Sequence, residues 1–134
     1  MSTEYLNVAI IDDDPIDLQK MKNALLLTDS SLHCALYMFP EQAIRILSNA
    51  DVSPAMIFID MNMQAKSGFE CLIELRKHDH LKDTGIYIYS SRLKHEVQDA
   101  IISAGANLVF EKPRDDRWRD IFRTILLTRA SQTA

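Results

Sequence analysis

The chain has 134 residues, of which 47% are hydrophobic and 25% charged, and its formal net charge at pH 7 is −4. That length holds one domain with a real core and is short for two, and the composition is that of an ordinary soluble globular protein. The acidic balance argues against a protein that coats nucleic acid, no apolar stretch approaches a membrane span, and Met1 to Tyr5 lacks the basic and apolar segments of a secretion signal, so a cytoplasmic chain is expected.

Leu6 to Ile11 predicts a first strand, which stops at Asp12-Asp13-Asp14. Asp14 is placed to cap the following helix, with Pro15 at its first position, where the missing N–H costs little. Leu18, Met21 and Leu25 recur at helical spacing to about Leu27, and Thr28-Asp29-Ser30-Ser31 ends the helix. Leu32 to Met38 predicts a second, less apolar strand. Pro40-Glu41 opens a second helix with Ala43, Ile44 and Leu47 turned inward, and Asp51 to Pro54 is the loop after it. The third strand, Ala55-Met56-Ile57-Phe58-Ile59, ends in Asp60; a short continuous apolar run of this kind reads as a strand buried on both faces of a parallel sheet. After the loop Met61 to Lys66, Ser67 and Glu70 have capping-box spacing for a third helix, with Phe69, Leu72 and Ile73 as its inward stripe. Ile86 to Tyr89 is the fourth strand and ends at Ser90-Ser91. Leu93, Val97, Ala100, Ile101 and Ala104 mark the buried face of a fourth helix, with Gly105 as its C′ residue. Leu108-Val109-Phe110 is the fifth strand and runs into Glu111-Lys112-Pro113, while Trp118, Ile121, Phe122, Ile125 and Leu126 give the last helix its core stripe. Cys34 and Cys71, the only cysteines, lie in apolar contexts that suit buried free thiols. The alternation predicts an α/β fold, with a parallel sheet between two helical layers, in one domain over residues 1–134 with its core at about 5–128.

In a parallel sheet the carboxyl ends of the strands share one edge, where open α/β sheets bind ligands. Here those ends carry Asp12 and Asp13, Asp60, Ser90, and Lys112. Clustered carboxylates repel one another unless protons or a cation neutralise them. An all-oxygen set suits a hard cation such as Mg²⁺, and a carboxylate beside it can accept a phosphoryl group while a lysine offsets charge on the transferring oxygens. Each residue also has a plainer reading. Asp12 to Asp14 could be helix caps, although one acid suffices; Asp60 could start a loop, Ser90 or Ser91 could cap the fourth helix, and Lys112 could be a surface lysine. Three acids in a row after an apolar strand favour the metal reading, and Lys112 before Pro113 and opposite the acids favours the functional one. Ser90 stands evenly between its two roles, and for Asp60 only the full set reverses the plainer reading. His33, His78, His80 and His95 share no metal-binding or relay spacing and read as structural or solvated.

Four stretches stand in order and at the spacing of a known family: Ile10-Ile11-Asp12-Asp13-Asp14-Pro15, then Phe58-Ile59-Asp60-Met61-Asn62-Met63 with Gly68 beyond, then Ser90, then Lys112-Pro113. From about Tyr5 to Leu127 the chain resembles the receiver domain of two-component response regulators. The resemblance implies a three-layer, doubly wound, flavodoxin-like (βα)5 fold with strand order 2-1-3-4-5. It implies that Asp60 accepts a phosphoryl group from a histidine kinase or histidine phosphotransfer protein. Asp12, Asp13 and Asp60, with the main-chain carbonyl of Asn62, would hold Mg²⁺. Ser90 would be the switch hydroxyl, Lys112 would contact the phosphoryl group, and Pro113 would follow a cis peptide. Such a protein is not an enzyme in the ordinary sense: it catalyses only its own phosphorylation and dephosphorylation. With no output domain after it in this sequence, it is expected to stand alone and to signal to a protein target through the fourth helix, fifth strand and fifth helix, a face that also offers a homodimer contact. The chain departs from the family at Val109, where an aromatic is usual (the neighbouring Phe110 falls on an inward position), and at Gln64, where a proline is common; Asn62 and Arg92 occupy positions that tune hydrolysis. Val109 and Gln64 motivate a second reading, an unphosphorylated docking module. An aspartate-based phosphatase is a third, and lacks its second aspartate because Asn62 stands there.

Overall fold

The computed structural model describes residues 6–114 and 117–133. Its elements alternate as the apolar runs predict: β1 Asn7–Ile11, α1 Pro15–Thr28, β2 His33–Tyr37, α2 Pro40–Leu47, β3 Met56–Asp60, α3 Gly68–Leu75, β4 Gly85–Ser90, α4 His95–Ser103, β5 Leu108–Glu111 and α5 Trp118–Thr133, with a short 3-10 helix, Asp79–Leu81, ahead of β4. All strand pairs are parallel, in the order β2-β1-β3-β4-β5. Every residue of β3 and β4 is buried, because helices cover both faces of the sheet's centre.

Alternation along the strands separates two cores. Ile57, Ile59, Ile86 and Ile88 meet Leu47 of α2, Leu72 of α3 and Ile101 of α4. On the other face Phe58, Tyr87 and Tyr89 meet Met21 and Leu25 of α1 and Trp118 and Phe122 of α5. The helix starts are fixed locally. The Asp14 carboxylate accepts from Ile16 N–H at 2.9 Å ahead of Pro15, and Ser67 and Glu70 form the expected capping box. Gly105 ends α4 at a φ of 113°, a conformation that needs glycine there.

Two inward faces differ from expectation. In α3 the buried residues are Gly68, Cys71, Leu72 and Leu75, whereas Ile73 is 39% exposed and Phe69 half-buried. The helix begins at Gly68, and three- and four-residue steps from there pass over position 73. In α4 only Ile101 is buried; Val97 and Ala100 are exposed and Ile102 is 44% exposed. This helix packs chiefly on β5, the edge strand, and an edge buries one ridge rather than a broad stripe. Among the described residues every peptide bond is trans, so the cis bond implied before Pro113 is absent. Cys71 is buried, Cys34 half-buried, and both are free thiols.

Candidate functional site

The parallel sheet brings four strand ends to one edge. Asp12 follows β1 and is fully buried; Asp60 closes β3 and Ser90 closes β4, both buried; Lys112 follows β5. The ladder continues just past the strands: Asp12 N–H donates to Tyr37 O, Met61 N–H to Tyr89 O, and Lys112 N–H to Ser90 O. The side chains of Asp12, Asp60 and Lys112 therefore leave the sheet where its main-chain ladder still continues. Asp12, Asp13 and Asp60 each present a carboxylate oxygen, and those oxygens lie within 4.8 Å of one another. Lys112 Nζ sits 3.8 Å from Asp60 Oδ2 and 3.9 Å from Asp12 Oδ2. Asn62 N–H donates to Asp60 Oδ1 at 3.2 Å, and Gln64 N–H donates to Asp13 Oδ2 at 3.0 Å. The Asn62 side-chain amide donates to Ser90 Oγ at 3.0 Å, and the Ser90 hydroxyl donates to the Arg92 carbonyl at 2.8 Å. The structure thus assembles the predicted set of Asp12, Asp13, Asp60, Asn62, Ser90 and Lys112 at one place. The Asn62 side chain thus links the Asp60 loop to Ser90 through its amide nitrogen, while its main-chain N–H serves Asp60.

Two residues at the site escaped the sequence reading. Asp17, in the first turn of α1, takes the shortest contact of Lys112, with Nζ 2.6 Å from its Oδ2. Tyr89 donates its phenol O–H to Asp12 Oδ2 at 2.8 Å, while Asp14 N–H donates to the other Asp12 oxygen at 3.0 Å. The only local signals were an extra acid three residues after the Asp14 cap and a hydroxyl-bearing aromatic next to Ser90. The other singled-out residues lie elsewhere. Val109 is buried in the α2/α3/α4 core, and Phe110 packs on the α1/α5 face. His78 and His80 bond Ser48 Oγ and the Leu47 carbonyl near the end of α2.

The electrostatics follow from burial. Asp60 is pushed up from 3.8 to about 7, first by loss of solvent and then by the neighbouring Asp12 charge. Asp12 is raised too, by burial, against the pull of its Asp14 and Tyr89 hydrogen bonds. Burial disfavours the Lys112 ammonium, but the Asp17 hydrogen bond and the charges of Asp60 and Asp12 outweigh it, and its pKa is raised. The Lys112 ammonium pairs with Asp12, Asp17 and Asp60, and Asp13 adds a fourth carboxylate to the cluster. Oxygen donors alone, in excess negative charge, fit a hard divalent cation such as Mg²⁺.

The family model described as Response regulator receiver domain matches residues 8–121. The chain belongs to that family. Among curated proteins this receiver is similar to the hybrid signal transduction histidine kinase C of Dictyostelium discoideum, at 32% identity over 112 residues, which is 79% of this chain and 9% of that protein. Among solved structures it is similar to a CheY-like receiver domain protein from Methanospirillum hungatei, with a TM-score of 0.82 and 18% identity over 97% of this chain and 98% of that one. It is also similar to the chemotaxis protein CheY4 of Vibrio cholerae, with a TM-score of 0.79 and 19% identity over 92% and 98% of the two chains. At such identities the structural likeness speaks for the fold alone. Receiver domains as a family are phosphoacceptor signalling domains of two-component systems rather than enzymes in the ordinary sense. Receivers bind Mg²⁺ at an acidic cluster of the kind formed here by Asp12, Asp13 and Asp60. No helix among the described residues is long and apolar enough to cross a membrane.

Proposed function

We propose that residues 1–134 form one cytoplasmic receiver domain that takes a phosphoryl group onto Asp60 from the phosphohistidine of a histidine kinase or phosphotransfer protein. The observation that carries this reading is the convergence of Asp12, Asp13 and Lys112 on a buried Asp60 that has one main-chain donor, Asn62 N–H. An Asp60 oxygen attacks phosphorus, the bond from phosphorus to the histidine nitrogen breaks, and the imidazole leaves and takes up a proton. Asp12, Asp13, Asp60 and the Asn62 carbonyl are the residues to hold Mg²⁺, which would offset charge on the phosphoryl oxygens. Lys112 lies close enough to Asp60 to neutralise a further oxygen.

Ser90 answers the new charge. Its hydroxyl donates to the Arg92 carbonyl in this structure, and turning it to a phosphoryl oxygen releases the start of the segment leading to α4. Val97 and Ile102 of α4 and Leu108 of β5 are exposed apolar residues on the neighbouring surface. That surface is the proposed contact for a downstream protein target, and for a second copy of the chain. Hydrolysis of the phosphoryl aspartate by the domain itself would reset it.

The burial of Val109 favours one other reading, since no aromatic swings at that position: a docking module with the fold and no switch. Incubation with acetyl phosphate or phosphoramidate, with and without Mg²⁺, separates them by intact mass. One phosphoryl group added only with Mg²⁺, and lost in Asp60→Asn, is the expected result. A chain unmodified under every condition is the docking module, and multiple turnover of unrelated phosphoesters would mark a phosphatase.

A further inference from the structure

Tyr89 stands where the acid pocket meets the α1/α5 core. Its side chain is fully buried, as is Asp12, to whose Oδ2 it donates at 2.8 Å. Lys112 Nζ lies 5.5 Å from the centre of its ring. The same ring meets Trp118 edge-on at 5.5 Å and stacks on Phe110 at 6.0 Å, and Trp118 in turn stacks on Phe122 at 5.5 Å. One side chain therefore touches a carboxylate of the pocket, the pocket's ammonium, and the aromatic cluster at the start of α5.

A phenylalanine would fill this volume without a polar atom to satisfy, and a phenol in a core costs free energy unless it finds an acceptor. Here the acceptor is an equally buried carboxylate in need of donors. With Asp14 N–H on one oxygen and Tyr89 O–H on the other, both ends of the Asp12 carboxylate are held, and each oxygen keeps capacity for one more partner. Outer partners of this kind orient a metal-binding carboxylate, and their loss typically costs about 10–100-fold in metal affinity. The ring is close-packed, so a displacement of its hydroxyl is passed to its neighbours rather than absorbed.

We propose that Tyr89 is the positioning residue for Asp12 and that it transmits occupancy of the acid pocket to Trp118 at the head of α5. This rests on the reading of the pocket as a divalent-cation site. The change at Asp12 or Lys112 reaches α5 through the buried side of β4 and β5, the face opposite Val109.

Trp118 is the only tryptophan, so its emission reports this contact without labelling. The test titrates MgCl₂ into the wild type and Tyr89→Phe, following emission and, independently, heat. The wild type is expected to change its Trp118 emission in step with metal binding. Tyr89→Phe is expected to bind about tenfold more weakly and to lose most of the emission change at saturation. Wild-type affinity together with a full emission change in Tyr89→Phe overturns the proposal. In the wild type itself, labelled at the tyrosine Cζ carbon, one of the four tyrosine resonances should shift with the metal, and four unmoved resonances at saturation also overturn it. A wild type that takes up no Mg²⁺ by heat removes the cation site beneath the proposal, a failure distinct from an unlinked Tyr89.

Discussion

Asp60 faces opposing demands. To take a phosphoryl group it must be ionised, yet its burial and the adjacent Asp12 push its pKa to about 7. In the unfolded chain it titrates near 3.8, so between these values the folded state holds a proton the unfolded state has released. Its contribution to stability is therefore complete at low pH, declines as pH rises through this window, and is gone above about 7. Without metal, Asp60→Asn is expected to be more stable than the wild type at pH 8, by roughly 2–4 kcal/mol, and to converge with it near pH 4. Urea midpoints across the pH range measure the difference, and a constant gap between the two proteins would refute the assignment. Because the ion needs the carboxylate, Mg²⁺ affinity should weaken as pH falls below 7.

The way α3 is seated on β3 sets where that carboxylate sits. A Cβ added at Gly68 would lie 2.6 Å from the Asp60 carbonyl oxygen and 2.9 Å from Met61 Cα. Both are backbone atoms, so no flexible side chain can yield. Gly68→Ala should cost about 1–3 kcal/mol in the urea midpoint. It should also weaken Mg²⁺ binding by calorimetry, because the Asp60 peptide has to shift; wild-type values for both would mean the helix start gives way instead. Much of this seating was legible in local sequence. Ser67 and Glu70 mark the start of α3, Asp14 and Pro15 the start of α1, and both are observed, because caps depend on neighbours a few residues apart. The inward face of α3 was misjudged at Ile73, since apolarity alone does not say which ridge the sheet covers. Tyr89 stayed unseen for a different reason. Its meeting with Asp12 depends on strand register, Asp60 opposite Tyr89 and Ile11 opposite Ile59, and no short-range pattern encodes that.

Across the whole molecule, two apolar cores hold a sheet whose one edge gathers mutually repelling acids. The cores supply the stability, and the edge withdraws part of it as long as Asp12, Asp17 and Asp60 share the Lys112 cation and no divalent ion joins it. A ligand that binds only the folded state returns stability by mass action, about 2.7 kcal/mol at a hundredfold excess over its Kd. For a chain of this size that is on the order of 10 °C in Tm. Mg²⁺ should therefore raise the melting temperature well beyond Na⁺ at equal ionic strength, since screening acts on every exposed charge while the divalent ion acts at one place. Asp12→Asn and Asp13→Asn should each remove most of the Mg²⁺-specific increment while leaving the Na⁺ response unchanged. An increment that survives both substitutions would locate the ion elsewhere, and would break the link between the acid edge and the chemistry assigned to Asp60.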